Sequence, residues 1–235
     1  PLLPWDLDAS GRARVAGRDL WDPGFHTFGG RRMRVALPSL RVDIAVVGGP
    51  LPRDAELEEW IRQAGSELLL VWRSQRGGRA HPRIALTVVI LPGGARIPFG
   101  QVLRSRGPSV AIYVGARTTR EDFLQDWVAV HELMHLAHPR FDPRVDWLTE
   151  GLATYYQGVA RARSGRFSER QFWSRLVRGV GWGKSEAGER SLSVLSQRMH
   201  ELHRYRAVYW GGALFALELD VELRRAGSSL DAVLG

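Results

Sequence analysis

The most chemically distinctive stretch of the sequence is VAVHELMHLAH, residues 128–138, which holds three histidines and one glutamate in an otherwise apolar run. His131, Glu132 and His135 form the pattern H-E-x-x-H. On a helix, residues four apart lie on the same face, so both imidazoles can reach one ion. Glu132 can then point at a metal-bound water without being a ligand. The pattern predicts a metal site; the alternative is two histidines that make ordinary hydrogen bonds on a buried helix.

His138 lies seven residues after His131 and near the same helix face. At about 1.5 Å per residue, the two are roughly 10 Å apart along a continuous helix. Zinc–nitrogen bonds are only about 2.1 Å long, so both residues cannot easily bind one ion. A longer known pattern, H-E-x-x-H-x-x-G-x-x-H, requires histidine where Phe141 stands. We therefore expect His138 at the helix C-terminus or at a cleft rim.

A third ligand is expected in the segment DWLTEGLATYYQ, residues 146–157. Asp146 can cap a second helix there, after a turn formed by FDPR, residues 141–144. Two helices joined by a short turn pack antiparallel, which can bring Glu150 back to the two histidines. The apolar neighbours of Glu150 in the sequence also favour a partner for its charge. The alternative is a solvated carboxylate in the first turn of a helix.

At these residues the sequence resembles the gluzincin metallopeptidases. Three segments in order carry the resemblance: HELMH, WLTEGLATYY and YWGGALFALELDVELRRAGSSLDAVL. The last two are similar to the glycyl aminopeptidase family, in which a W-[LF]-x-E-G segment precedes paired tyrosines. A tyrosine followed by a Lys-Gly-Ala helix and a Ser-Leu-Asp segment comes later in that family. The resemblance covers about residues 119–235.

The resemblance implies a role for each matching residue. His131, His135 and Glu150 match the ligands of one zinc ion per chain, and Glu132 matches the general base. Tyr209 matches the tyrosine that donates a hydrogen bond to the tetrahedral intermediate, and Tyr205 is its nearest competitor. The implied activity is hydrolysis of peptide bonds in a peptide or protein substrate.

The sequence departs from the glycyl aminopeptidase pattern in two places. Gly211 replaces the lysine of Lys-Gly-Ala, and the spacing between His135 and Glu150 is shorter than in much of the group. We also find no convincing motif for gripping a free amino terminus. The choice between aminopeptidase and endopeptidase therefore stays open.

The resemblance implies an α+β fold of the thermolysin-like zincin type. In that fold a small mixed-sheet subdomain precedes a mainly helical subdomain, and the active site lies between them. We predict an extended lead-in over residues 1–34, the sheet-bearing subdomain over 35–118 and the helical zinc-binding subdomain over 119–235. Together they would form one catalytic domain.

Hydrophobic periodicity supports this division. Residues 53–72 predict an amphipathic helix, and three buried strands are predicted at 40–49, 83–94 and 109–117. We predict that the segment SVAIYVG, residues 109–115, is an edge strand that holds the substrate backbone by strand addition. From residue 119 the pattern is helical: Thr119 caps a helix that Pro139 ends. Further helices are predicted near 147–163, 168–179, 191–203 and 206–226.

Composition excludes several classes of function. The 235 residues contain no cysteine, which excludes disulfides, thiolate metal ligands and cysteine nucleophiles. No apolar run approaches the roughly 18 residues needed to span a bilayer. The net charge is +8, but Lys184 is the only lysine and the arginines are spread along the chain. We therefore do not expect a nucleic-acid partner.

Two alternatives to an active peptidase remain. One is a catalytically inactive, peptidase-like module that binds peptides, and the other is a basic protein that binds nucleic acid. The chain begins at Pro1, so we expect a processed or trimmed product, and we favour an exported bacterial protein. The sequence leaves the oligomeric state open.

Overall fold

The structure, a computed structural model, describes residues 1–5, 8–12, 15, 17, 24–49, 53–75, 83–104 and 107–234. The chain forms two compact units. The first comprises residues 1–66 and 80–133, and the second comprises residues 67–79 and 134–235. A mixed sheet together with helices gives an α+β fold, as predicted. The predicted three-part division into lead-in and two subdomains stays a prediction.

The first unit is built on one sheet, formed in the described part of the chain by five strands. In chain order these are β1 (Arg31–Leu37), β2 (Leu40–Val47), β3 (Arg83–Leu91), β4 (Phe99–Arg104) and β5 (Pro108–Gly115). The spatial order is β1-β2-β3-β5-β4, in which β2, β3 and β5 are parallel and the two outer strands are antiparallel to their neighbours.

Two features of the sheet correct the sequence analysis. Strands β1 and β4 were not predicted, and β1 begins within the expected lead-in. The predicted edge strand, β5, lies inside the sheet because β4 pairs along its outer side, from Phe99 opposite Tyr113 to Arg104 opposite Pro108. In the described part of the chain, β4 pairs only with β5, so the edge belongs to β4.

Helix α1 (Asp54–Gln75) connects the parallel strands β2 and β3. The predicted helix is confirmed, and every member of its apolar stripe is buried: Leu57, Trp60, Ile61, Ala64 and Leu68. Strands β3 and β5 are buried along most of their length, as a continuous apolar run predicts for the inside of a sheet.

An arginine cluster surrounds Asp43 on β2. The carboxylate accepts hydrogen bonds from Arg34 Nε at 2.8 Å and from Arg83 Nε at 2.7 Å. Burial alone would raise the pKa of Asp43, but the hydrogen bonds from Arg83 and Arg34 outweigh it and hold the pKa below its ordinary value of 3.8. The cluster therefore stabilises the first unit in the charged form of the aspartate.

The helix predicted from Thr119 to Pro139 is two helices, α2 (Arg120–Gln125) and α3 (Val128–Met134). Thr119 caps α2, as predicted, and it forms a capping box with Asp122 that was not predicted. The break occurs at Asp126, whose extended backbone ends α2. The second helix ends at Met134, before Pro139 is reached, so proline does not terminate it.

The second unit contains the C-terminal part of α1 and the remaining helices. These are α4 (Asp146–Arg163), α5 (Glu169–Ala187), α6 (Leu192–Gln197), α7 (Met199–Leu202), α8 (Tyr205–Arg225) and α9 (Leu230–Leu234). Helix α5 is longer than predicted, and the helix predicted at 191–203 is split into α6 and α7. Asp146 is the first residue of α4 rather than its cap, because Asp142 instead caps a short 3-10 turn at Pro143–Val145.

Helices α4 and α8 approach so closely that their backbones touch. A Cβ atom at Gly151 would lie 2.3 Å from the Gly212 carbonyl carbon, and one at Gly212 would lie 2.1 Å from the Trp147 carbonyl oxygen. Farther along, the Tyr155 hydroxyl donates to Asp220 at 2.8 Å. Glycine at both contact positions therefore sets the spacing of this helix pair.

A buried ion cluster lies in the same unit. Glu67, only 1% exposed, is 3.7 Å from Arg161 Nε and 3.3 Å from Arg166 Nη1. Burial raises the pKa of Glu67, although both arginines act against that shift.

Across the helices that the structure describes, none is long and apolar enough to cross a membrane.

Candidate metal centre

Helix α3 carries the first part of the H-E-x-x-H pattern. His131 and Glu132 lie within it, and His135 directly follows its last residue. All three side chains are buried. The helix begins with Val128, Ala129 and Val130, which are also buried. The apolar residues before His131 therefore belong to the core.

The start of α3 is fixed by Asp126. Its carboxylate accepts hydrogen bonds from the backbone N–H groups of Val128 and Ala129, each at 2.9 Å. The same carboxylate accepts a 3.0 Å hydrogen bond from Trp60 Nε1 on α1. These bonds satisfy two of the N–H groups that a helix start leaves open and hold α3 against α1.

Glu150 supplies the carboxylate expected near the histidines. It lies in the second turn of α4, and its side chain is 19% exposed. Its Oε2 is 3.6 Å from Nε2 of His135. Burial raises the pKa of Asp146, one turn earlier, and the charge of Glu150 raises it further.

His131, His135 and Glu150 each offer one ligand atom, and these atoms lie within 4.8 Å of one another. Two imidazole nitrogens and one carboxylate oxygen are a known ligand set for zinc, with bonds of about 2.0–2.2 Å. Tetrahedral coordination at those lengths separates ligand atoms by about 3.4 Å. The 3.6 Å between His135 and Glu150 is close to that value. The three residues could therefore hold one metal ion.

Glu132 is not one of the three grouped residues, and its position is set by β4. A Cβ atom at Gly100 would lie 2.4 Å from Glu132 Cγ, 2.9 Å from its Cδ and 3.0 Å from Val128 Cγ1. Glu132 therefore packs directly on the backbone of the edge strand. Gly100 was not predicted from the sequence; the available signal was a glycine inside a strand, which often marks a close approach.

Tyr209 lies on α8, three residues before Gly212, which touches the backbone next to Glu150. The tyrosine is partly buried and packs on the apolar cluster of Leu195, Met199, Ala207 and Val208. Tyr205, the competing tyrosine, is 37% exposed, and its hydroxyl is 3.3 Å from His200 Nδ1. The role of Tyr209 stays a prediction.

His138 is not among the grouped residues, and the structure places it neither at the C-terminus of α3 nor at an exposed rim, the two positions expected. The side chain is almost fully buried, four residues beyond the end of α3. Its Nδ1 donates to the Pro139 carbonyl oxygen at 2.9 Å, and its ring stacks on Phe141. Because α3 ends early, the chain turns before His138 and buries it.

Comparison with known proteins supports the fold. No family model and no curated protein matches the sequence. The fold is similar to that of an aminopeptidase N family protein from Idiomarina loihiensis, with a TM-score of 0.63 and 14% sequence identity. The match covers 87% of this chain and 40% of that chain. The fold is also similar to native yeast LTA4 hydrolase, with a TM-score of 0.53 and 11% identity over 82% and 30% of the two chains. The chain thus spans less than half of either protein, and at these identities the likeness shows a shared fold.

Proposed function

We propose that the chain is a zinc-dependent metallopeptidase unit with a thermolysin-like organisation. The observation that carries this proposal is the group formed by His131, His135 and Glu150, whose ligand atoms lie within 4.8 Å of one another. The fold shared with an aminopeptidase N family protein adds support. It also makes aminopeptidase substrates the first class to assay, while endopeptidase activity stays open.

Glu132 is the proposed general base. His131, His135 and Glu150 would hold the zinc, which would supply Lewis-acid activation of the attacking water. Glu132 would accept a proton from the attacking water and pass it to the leaving amine. Its burial against Gly100 supports this role, because a base held in one position starts close to its working geometry.

Tyr209 is proposed to stabilise the oxyanion that forms as water attacks the carbonyl. A hydrogen-bond donor in this role typically contributes a few kcal/mol to the transition state. The backbone contact between Gly151 and Gly212 supports the assignment, because it ties the helix of Tyr209 to that of Glu150. In a Tyr209→Phe variant, kcat should fall about 10²-fold with zinc retained, while a Tyr205→Phe variant should be nearly unchanged.

The substrate backbone is proposed to pair with β4, the edge strand. An extended peptide can add to such an edge through main-chain hydrogen bonds. Gly100 on this strand packs on Glu132, which would bring a peptide held there to the proposed base. A crystal structure with a bound peptide analogue tests this placement; an analogue seated away from β4 would contradict it.

Metal content is the direct test of the proposed function. We expect about one zinc per chain by mass spectrometry after loosely bound ions are removed. A Glu150→Ala variant should lose zinc or bind it much more weakly. The matched control is Glu218→Ala, an exposed glutamate on α8, which should bind zinc like the unmodified protein. A protein without zinc, even after reconstitution, would overturn the proposal.

Turnover of a peptide library separates catalysis from simple binding. A Glu132→Gln variant should keep zinc, because Glu132 is not a ligand, and should lose hydrolysis. Retained turnover in this variant would remove Glu132 from the base role. A zinc-loaded protein that is inert on the whole library would favour the peptide-binding module instead.

A further inference from the structure

An exposed tryptophan stands beside the first metal ligand. Trp127 directly precedes α3, and its ring centroid is 5.4 Å from that of His131 in an edge-on contact. The side chain is 46% exposed. Tryptophan is among the largest apolar side chains, so leaving nearly half of it in water forgoes a substantial hydrophobic gain.

The position of Trp127 is fixed by its neighbours. The preceding residue, Asp126, is held by Trp60 and caps α3. The Trp127 carbonyl oxygen accepts a 3.0 Å hydrogen bond from the His131 backbone N–H. The indole is therefore attached at a hydrogen-bonded helix start, and its ring makes an edge-on contact with the ring of His131. Rigid aromatic side chains of this kind contribute contact area at low entropic cost.

Because the indole contacts the ring of His131, it lies beside the proposed metal site, where a bound substrate would place the side chains next to its scissile bond. The Cβ atoms of the two residues that flank a scissile peptide bond lie within about 4 Å of the carbonyl carbon. An apolar side chain at one of these positions could cover the exposed indole surface. A polar side chain there would gain less and would lose part of its hydration.

We infer that Trp127 is a specificity-determining residue that selects substrates with an apolar side chain next to the scissile bond. This inference rests on the proposed peptidase function and names a substrate class for it. The indole would contact the substrate itself, so its removal should change selectivity between peptides. It should leave metal binding intact, because His131 keeps its backbone position on α3.

The test measures peptide binding in a Glu132→Gln background, which keeps the ligands and prevents turnover. Two pairs of peptides are used, and the members of each pair differ only by leucine or serine at one position. In the first pair this position is on the N-terminal side of the scissile bond, and in the second pair it is on the C-terminal side. Dissociation constants are measured by calorimetry for the zinc-loaded proteins with Trp127, with Trp127→Ala and with Trp173→Ala. Trp173, on α5, is a matched control because it is 44% exposed. We expect the Leu-to-Ser preference of one pair to fall at least 10-fold in Trp127→Ala only.

Three results would overturn the inference. They are an unchanged Leu-to-Ser preference, an equal loss of affinity for both members of each pair, and a loss of zinc affinity of more than 10-fold in Trp127→Ala. The last two would show that Trp127 acts by positioning His131. Failure of the proposed function is seen separately, as absent turnover of the peptide library by the unmodified, zinc-loaded protein.

Discussion

The contact between Gly100 and Glu132 gives the sharpest prediction for catalysis. In a Gly100→Ala variant, the new Cβ would lie 2.4 Å from Glu132 Cγ. Carbon atoms in contact prefer about 3.5–4.0 Å, so one partner must move by about 1 Å. Glu132 Cγ is not the free end of a flexible side chain, and the new Cβ would also lie 3.0 Å from Val128 Cγ1. The displacement therefore falls on the carboxylate or on β4.

The expected magnitude follows from this displacement. A misplacement of 1 Å in a catalytic group can cost about 10²-fold in rate, so kcat of Gly100→Ala should fall by about that factor. Overpacking of this kind costs about 1–3 kcal/mol of stability, which should leave the protein folded at 25 °C. Zinc content should stay at the unmodified level, since Glu132 is not one of the three grouped residues.

The assay compares kcat, zinc content and melting temperature in three proteins. The control is Gly181→Ala on α5, where a new Cβ meets nothing within 4 Å. It should keep full activity and gain about 0.5–1 kcal/mol of stability, because alanine favours a helix. A folded, zinc-loaded Gly100→Ala with kcat within 3-fold of normal would refute the reasoning.

Three further predictions concern stability and the metal site. In Glu67→Gln, Arg161 and Arg166 lose the carboxylate beside them, so chemical denaturation should show a loss of about 3–5 kcal/mol. The loss should be less than about 1 kcal/mol for Glu58→Gln, whose half-exposed side chain pairs with Arg62. Asp43→Asn should cost about 1–3 kcal/mol near pH 7. Because the folded-state pKa of Asp43 is lowered, that stabilisation is present above about pH 4 and is lost in stronger acid, so the two melting temperatures should converge there. In Gly151→Ala, the new Cβ meets backbone on α8, so both the melting temperature and zinc affinity should fall; an unchanged zinc affinity would contradict this.

The parts of the fold that the sequence predicts are those with strong local patterns. The α1 stripe and the buried strands β3 and β5 have the periodicity of elements packed in a core. The His131 and His135 pair follows from helix geometry, and Glu150 follows from the short turn before α4. Each of these depends on residues that are close together in the chain.

The parts that were missed depend on distant contacts or on exposure. Strands β1 and β4 are outer strands with several exposed residues, so their apolar pattern is weak. Chain order also does not give spatial order, which is why β5 was expected at the edge. The end of α2 at Asp126 depends on a hydrogen bond from Trp60, 66 residues earlier in the chain. The closeness of Gly100 to Glu132 is likewise visible only once β4 is in place.

The backbone contact between α4 and α8 has a consequence for protein engineering. Where Gly151 and Gly212 meet, no side chain separates the two helices. To favour a larger cation, a designer would need to move Glu150, but no side chain between the helices can be made larger or smaller at this point. Changes in ion preference would have to come from other positions, for example from the turn capped by Asp142, which comes just before α4.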